Sequence, residues 1–199
     1  MTQICLVRHG ETDWNKEGRL QGRTDIPLNS IGRDQAMRCG YYLAESEWDI
    51  IISSPLLRAK QTAEILSLLL QKPLITLEAF IERDYGEAEG LSAVERIRRF
   101  PNRLYPGQET RDVLTKRVME GISSLHSRYC NKRIVVVAHG AVINTILAVI
   151  SDGQIGSGKT TLHNACLSKI QFQFEKNKWD LLEYNQILHL SVRDVEELT

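Results

Sequence analysis

Two histidines in this sequence occupy the same position relative to a short apolar run, and each is followed by a glycine. His9 comes after residues 4–7 and Arg8, and His139 comes directly after residues 134–138. Short apolar runs of this length predict buried strands, and α/β sheets bind ligands at the carboxyl ends of their strands. The glycine allows a sharp turn and a close approach of ligand to backbone. If the two strands are neighbours, both imidazoles will share one crevice.

Two arginines are placed to bind an anion beside these histidines. Arg8 precedes His9, and Arg58 lies in the first turn of the helix predicted after Ser54 and Pro55, which we expect to be its N-cap and first helical residue. Helix N-termini attract anions, and guanidinium groups match the geometry of phosphate oxygens. A single histidine after a strand is more often structural. Two histidines with two arginines instead predict a pocket for a compact dianion, which means phosphate.

A second phosphate motif occurs at residues 153–160, Gly-Gln-Ile-Gly-Ser-Gly-Lys-Thr, which fits the P-loop pattern of nucleotide-binding proteins. A P-loop must open a helix, yet residues 165–174 alternate like a strand after only four intervening residues. No later strand ends in an aspartate suited to bind magnesium. We therefore expect a connecting loop near the pocket, and we keep a P-loop nucleotide-binding protein as a remote alternative.

Strand and helix signals alternate along the chain. Strands are predicted at residues 4–7, 50–52, 74–77, 134–138, 165–174 and 179–184. A first helix is predicted after Ser30 as its N-cap, and a second from Pro55 to about residue 70. A short helix begins at a capping box on Ser92 and ends before Pro101. Two more helices are predicted along the apolar positions of 114–129 and at 141–150. This alternation predicts an α/β fold: a three-layer sandwich with a mostly parallel central sheet, helices on both faces and a small cap insertion. We expect one domain over residues 1–199, with the cap at about 84–109.

Composition limits the classes of function. The 199 residues include 25 basic and 25 acidic side chains, so the basic excess of a nucleic-acid binder is missing. No apolar run approaches the roughly 20 residues of a membrane span, and no signal peptide is evident. The four cysteines are widely spaced and form no zinc or redox motif: Cys5, Cys39, Cys130 and Cys166. We expect a cytoplasmic monomer or homodimer that uses no metal and binds neither nucleic acid nor membrane.

The sequence resembles the histidine phosphatases, also called the phosphoglycerate mutase-like superfamily, nearly from end to end. Residues 6–15, Leu-Val-Arg-His-Gly-Glu-Thr-Asp-Trp-Asn, match the family's signature. Residues 22–28, 53–63 and 138–140 match later segments, and Asn185 with residues 189–190 is similar to the family's C-terminal strand end.

This resemblance implies hydrolysis of a phosphomonoester through a phosphohistidine at His9, with no cofactor. Arg8, Arg58 and a cationic His139 would hold the transferred phosphoryl group. Glu82 would be the proton donor, with a pKa raised by burial, and its local competitors are Asp84, Glu87 and Glu89. The resemblance also implies a set of substrate-binding residues: Asn15, Gln21, Gly22, Tyr85, Gly140 and Ala141.

The sequence leaves three functions to compare: a phosphatase, a mutase and a binding protein without catalytic activity. Only residues 91–109 fill the place where cofactor-dependent mutases carry an extended lid, and Asp84 stands where mutases have histidine. We therefore favour hydrolysis of small phosphorylated metabolites, with a cofactor-dependent phosphoglycerate mutase as the alternative. A catalytically silent binding module would have been free to lose the catalytic residues. Four arginines of the cap either meet a second anionic group of the substrate or form an exposed face: Arg96, Arg98, Arg99 and Arg103.

Overall fold

The computed structural model describes residues 1–191, and its centre is one six-stranded sheet. The strands are β1 (Gln3–Arg8), β2 (Ile50–Ser53), β3 (Leu74–Thr76), β4 (Arg133–Ala138), β5 (Leu167–Gln173) and β6 (Lys178–Gln186). Their spatial order is β3-β2-β4-β1-β5-β6, with the first four parallel and β5 and β6 antiparallel to their neighbours. The predicted, mostly parallel sheet is confirmed. Residues 192–199 of the predicted domain lie outside the described part of the chain.

Helices cover both faces of the sheet. They are α1 (Asp13–Lys16), α2 (Ser30–Leu43), α3 (Leu57–Leu70), α4 (Ala93–Arg99), α5 (Arg111–Arg128) and α6 (Gly140–Ile150). Successive strand residues point to opposite faces, so Ile4 and Leu6 pack towards α5 and α6, whereas Cys5 and Val7 pack towards α2 and α3. The two resulting cores confirm the three-layer sandwich. Helix α4 belongs to the predicted cap, and within residues 1–191 no helix is long and apolar enough to cross a membrane.

Two helix starts differ from the sequence prediction. Helix α2 is capped by Asn29, whose side-chain oxygen accepts a hydrogen bond from the N–H of Gly32 at 2.8 Å, and Ser30 is its first residue. Helix α3 starts at Leu57 rather than at Pro55. The N-cap of α3 is Leu56 and not Ser54, whose hydroxyl lies 2.7 Å from Nε2 of a distant histidine, His139.

The P-loop-like segment has neither of the neighbours that a P-loop needs. It follows helix α6 rather than a strand, it consists of turns, and the next element is strand β5. The Nζ of Lys159 donates to the carbonyl oxygen of Gly153 within the same loop. The nucleotide-binding alternative is therefore wrong in its structural premise. The predicted C-terminal strand end is also wrong in part: Asn185 lies in β6, but Leu188–Leu190 forms a 3-10 turn.

Candidate active site

The carboxyl ends of β1 and β4 bring the two histidines together. Arg8 pairs with Ala138 in the parallel register. The residues that follow this pair, His9 and His139, therefore leave the two strands side by side. Their ring centroids lie 5.2 Å apart, with the planes inclined at 56°. Both side chains are buried. The two imidazoles are therefore neighbours at the strand ends.

His9 is held as a neutral ring whose lone pair lies on Nε2. Its Nδ1 lies 2.7 Å from the carbonyl oxygen of Gly10, which can only accept, so the ring proton is on Nδ1. Its Nε2 accepts a hydrogen bond from Nε of Arg58 at 3.3 Å. Burial, followed by the charges of Arg58 and Arg8, lowers the pKa of His9 well below its ordinary value. An imidazole in this state can act as a nucleophile at Nε2.

His139 is also neutral. Burial, followed by the charges of Arg58 and the proximity of His9, lowers the pKa of His139 well below its ordinary value. This lowered pKa disfavours the cationic form of His139 that the resemblance implied. The Nε2 of His139 lies 2.7 Å from Oγ of Ser54, and its buried Nδ1 has no partner within residues 1–191.

Two guanidinium groups flank the histidine pair. Arg58 is fully buried, and besides His9 it contacts two carbonyl oxygens: that of Thr24 at 3.1 Å from Nη1 and that of Gly22 at 2.8 Å from Nη2. Arg8 donates from Nη1 to the carbonyl oxygen of Leu162, while its buried Nε has no partner among the described residues. Positive charge is thus concentrated where a phosphoryl group would meet Nε2 of His9.

One carboxylate fastens the loop that holds Arg58. The Oε1 of Glu89 accepts from the N–H groups of Arg23 at 2.8 Å and Tyr85 at 3.1 Å. Its Oε2 accepts from the N–H of Thr24 at 2.8 Å and from the hydroxyl of the same residue at 2.6 Å. Burial alone would raise the pKa of Glu89, but these hydrogen bonds, the hydroxyl's first, outweigh it and lower the pKa.

Glu82 is the carboxyl that reaches the cleft. It is 5% exposed, with Oε1 at 2.8 Å from the N–H of Arg83 and Oε2 at 3.2 Å from the N–H of Ala141. Burial raises the pKa of Glu82, as expected, and the hydrogen bonds and the charge of Arg58 only partly offset it. A carboxyl with a raised pKa can hold a proton near neutral pH and donate it.

The competing carboxyls are engaged elsewhere. Asp84 accepts from the N–H of Gly86 at 2.8 Å, and Glu87 pairs with Arg99 at 3.0 Å on the surface. Among the described residues, Glu82 is the only acidic side chain that lines the cleft. Residues 1–191 contain no group of three or more histidine, cysteine or acidic side chains that could hold a metal ion.

His9 and Arg8 line a cleft of about 880 Å³, whereas His139 and Arg58 are fully buried and do not line it. Five of the six expected substrate-binding residues line it: Asn15, Gln21, Tyr85, Gly140 and Ala141. Gly22 does not, because it lies beneath the site with its carbonyl on Arg58. A Cβ at Gly22 would lie 1.8 Å from Oε1 of Glu89, so no side chain fits there.

Several supporting residues were missed by sequence reasoning. Thr62 accepts from the N–H of Gly10 at 3.1 Å and donates to the carbonyl oxygen of Arg58 at 2.8 Å. The Nδ2 of Asn164 donates to Oδ1 of Asn15 at 3.1 Å, which leaves Nδ2 of Asn15 as the donor available to a ligand. The position of Thr62, one turn after Arg58 on the same helix face, was a usable signal. Asn164 gave none.

Of the four cap arginines, the structure places only Arg96 on the cleft wall. Arg99 is directed to Glu87, and neither Arg98 nor Arg103 lines the cleft. A further arginine that sequence reasoning did not single out, Arg111 at the start of α5, also lines the cleft.

Comparison with known proteins gives concordant results. Residues 4–187 match the family model described as "Histidine phosphatase superfamily (branch 1)". The chain is 49% identical over 191 residues to an uncharacterized phosphatase, PhoE, of Bacillus subtilis, covering 96% of this chain and 98% of that protein. It is 31% identical over 205 residues to a metal-independent phosphoserine phosphatase of Arabidopsis thaliana, covering 96% and 84%. The solved structure of Bacillus stearothermophilus YhfR superimposes with a TM-score of 0.88 at 27% identity, covering 96% of this chain and 100% of that one.

Proposed function

Since the chain belongs to branch 1 of the histidine phosphatase superfamily, we propose that it hydrolyses small phosphomonoesters through a phosphohistidine at His9, without a metal ion. Its relatives named phosphatase and metal-independent phosphoserine phosphatase support this activity. The observation that carries the proposal is the state of His9. It is a buried ring whose proton is held on Nδ1 by Gly10, whose Nε2 faces Nε of Arg58, and whose pKa is lowered by burial and by the charges of Arg58 and Arg8.

In the first step, Nε2 of His9 attacks phosphorus and the bond between phosphorus and the ester oxygen breaks. Arg8, with an unpaired Nε, and Arg58, whose Nε already points at Nε2, stabilise the charge on the transferred oxygens. Ser54 accepts from the N–H of Leu56 at 3.3 Å, and we assign its hydroxyl as the donor to Nε2 of His139 at 2.7 Å. His139 then carries its ring proton on Nδ1. This N–H donates a hydrogen bond to a phosphoryl oxygen, and the ring stays neutral.

Glu82 supplies the proton that the departing alkoxide needs. Its raised pKa favours the protonated form that this step needs, and the N–H groups of Arg83 and Ala141 stabilise the carboxylate that results. In the second step the same carboxylate takes a proton from water, whose oxygen attacks the phosphohistidine. Inorganic phosphate leaves, and His9 and Glu82 return to their initial states, so one water molecule is consumed in each turnover.

Hydrolysis is favoured over phosphoryl transfer back to a substrate. The cap contains a single helix of seven residues, α4, and the cleft is open to solvent. A mutase must keep water from its phosphohistidine, which a short cap does poorly. Asp84, at the position where mutases have histidine, is directed to the N–H of Gly86 and does not line the cleft.

The activity is tested with purified protein, p-nitrophenyl phosphate and excess EDTA. We expect turnover in EDTA and a loss of at least about 1,000-fold in kcat for His9→Ala, the scale of removing a covalent nucleophile. His163→Ala, at an exposed histidine outside the cleft, is the matched control and keeps full activity. Lys159→Ala should also keep it, whereas ATP hydrolysis lost in that variant would revive the nucleotide-binding alternative. Faster isomerisation than hydrolysis of 3-phosphoglycerate would make the protein a mutase.

A further inference from the structure

We propose that the cleft selects phosphomonoesters whose leaving group carries a second anionic group, and that Arg96 and Arg111 bind this group. The inference rests on the proposed phosphatase function and names its substrate class. The cleft of about 880 Å³ is far larger than a phosphoryl group and is in the range of pockets that hold whole small-molecule ligands. Most of its wall must therefore contact the leaving group.

The charge on that wall is strongly unbalanced. Besides Arg8 at the reacting centre, the cleft is lined by four arginines: Arg19, Arg83, Arg96 and Arg111. The single carboxyl on the wall is that of Glu82, and its raised pKa favours the neutral form. Arg19 is neutralised by Glu17 at 2.6 Å. The other three have no carboxylate within 4.0 Å in the described part of the chain. Unpaired guanidinium groups beside a ligand cavity attract anionic oxygens.

Two of these three arginines are free to turn to a ligand. Arg83 is the exception, because its Nε donates to the carbonyl oxygen of Glu109 at 2.9 Å and its Nη2 donates to Oε1 of Gln108 at 3.2 Å. Arg96 makes one hydrogen bond, from Nη1 to the carbonyl oxygen of Leu91 at 2.9 Å, which leaves most of its donors unused. Arg111 makes no side-chain hydrogen bond or ion pair within residues 1–191.

The positions of Arg96 and Arg111 fit a shared ligand. Arg96 lies on cap helix α4 and is half-buried, close enough to Tyr85 for its charge to lower that residue's pKa against the larger effect of burial. Arg111 is the first residue of the 18-residue helix α5, where the helix dipole adds positive potential. The proposed second anion is bound by Arg96 and Arg111, while the reacting phosphoryl group lies at His9 in the same cleft. Carboxylate and phosphate both offer the anionic oxygens that guanidinium groups bind.

The test uses substrate pairs that differ in the second anion alone. Glycerol 3-phosphate and 3-phosphoglycerate differ by a carboxylate, and glucose 6-phosphate and glucose 1,6-bisphosphate differ by a phosphate. We expect the native protein to prefer the doubly anionic member of at least one pair by about tenfold or more in kcat/KM. The pair that shows the preference identifies the anion as carboxylate or phosphate.

The variants assign the preference to residues. Arg96→Gln and Arg111→Gln should each lower kcat/KM for the preferred substrate about tenfold more than for its partner, mainly through KM. Arg98→Gln, on the same cap helix but outside the cleft, is the matched control and should leave the ratio unchanged. The proposal is overturned if neither pair shows a preference, or if both variants lower the two members equally. Absence of any turnover, including that of p-nitrophenyl phosphate, would instead refute the phosphatase function itself.

Discussion

Replacing Glu89 by glutamine should slow catalysis although Glu89 does not line the cleft. Its carboxylate accepts four hydrogen bonds from Arg23, Thr24 and Tyr85. The carbonyl oxygens of the loop that it fastens hold the guanidinium of Arg58 at 2.8 and 3.1 Å. Glutamine keeps one acceptor oxygen and places an NH₂ group where the other oxygen accepted two hydrogen bonds.

The expected magnitude follows from those two lost bonds. A hydrogen bond to a charged group contributes about 1.5–3 kcal/mol, and partial exposure of Glu89 favours the lower end of that range. If about half of a total near 3 kcal/mol is felt by Arg58, the barrier rises by about 1.4 kcal/mol, which is a tenfold fall in rate. Because Arg58 acts mainly in the transition state, kcat should fall about tenfold while KM changes less than about twofold.

Steady-state kinetics with p-nitrophenyl phosphate at saturating concentration measures this effect. Glu87→Gln is the matched control, since Glu87 lies in the same turn and pairs with Arg99 away from the cleft. The lowered pKa of Glu89 adds a pH signature: the stability it contributes is complete above the carboxyl's unfolded pKa and is lost as pH falls through its lower folded pKa. A Glu89→Gln protein with normal kcat, or one in which only KM changes, would refute the positioning role.

Three further outcomes are expected. Glu82→Gln should lower kcat/KM about 100-fold for an alkyl phosphate but less than about tenfold for p-nitrophenyl phosphate, whose leaving group needs no proton. This ratio reports the steps up to departure of the leaving group and not the shared second step, so equal losses in kcat/KM for both esters would contradict the acid role. Burial and the charge of Arg58 lower the pKa of His9, so His9 should stay neutral as pH falls from 7 through about 6.5. We therefore expect kcat/KM, corrected for substrate ionisation, to stay level over this range. A drop there in the pH–rate profile would contradict a neutral buried nucleophile. Gly22→Ala should lower both melting temperature and kcat, since its Cβ would lie 1.8 Å from Oε1 of Glu89, and calorimetry with kinetics checks both.

The main chemical residues were predictable because their signals are local. The apolar run followed by His-Gly occurs twice, and parallel pairing of β1 with β4 places both repeats at one edge of the sheet. Arg58 was predictable from its place in the first turn of a helix. Glu82 depended on the family resemblance, because burial of a loop carboxyl is a tertiary property that its neighbours in sequence do not reveal.

The supporting contacts were not predictable, since they join residues far apart in the chain. The hydroxyl of Ser54 has the sequence context of an N-cap, but it contacts His139, 85 residues away, and the helix starts at Leu57. The bond from Asn164 to Asn15 spans 149 residues. The P-loop-like segment shows the reverse case: its letters fit a motif, but the helix before it and the strand after it do not.

Trapping the covalent intermediate tests the central claim most directly. The protein is mixed with a radiolabelled phosphomonoester, quenched in alkali within milliseconds, digested and mapped. We predict an alkali-stable, acid-labile phosphoryl label on the peptide that contains His9, formed at least as fast as steady-state turnover and absent in His9→Ala. Rapid hydrolysis with no label on that peptide, or a label on a different residue, would contradict the account.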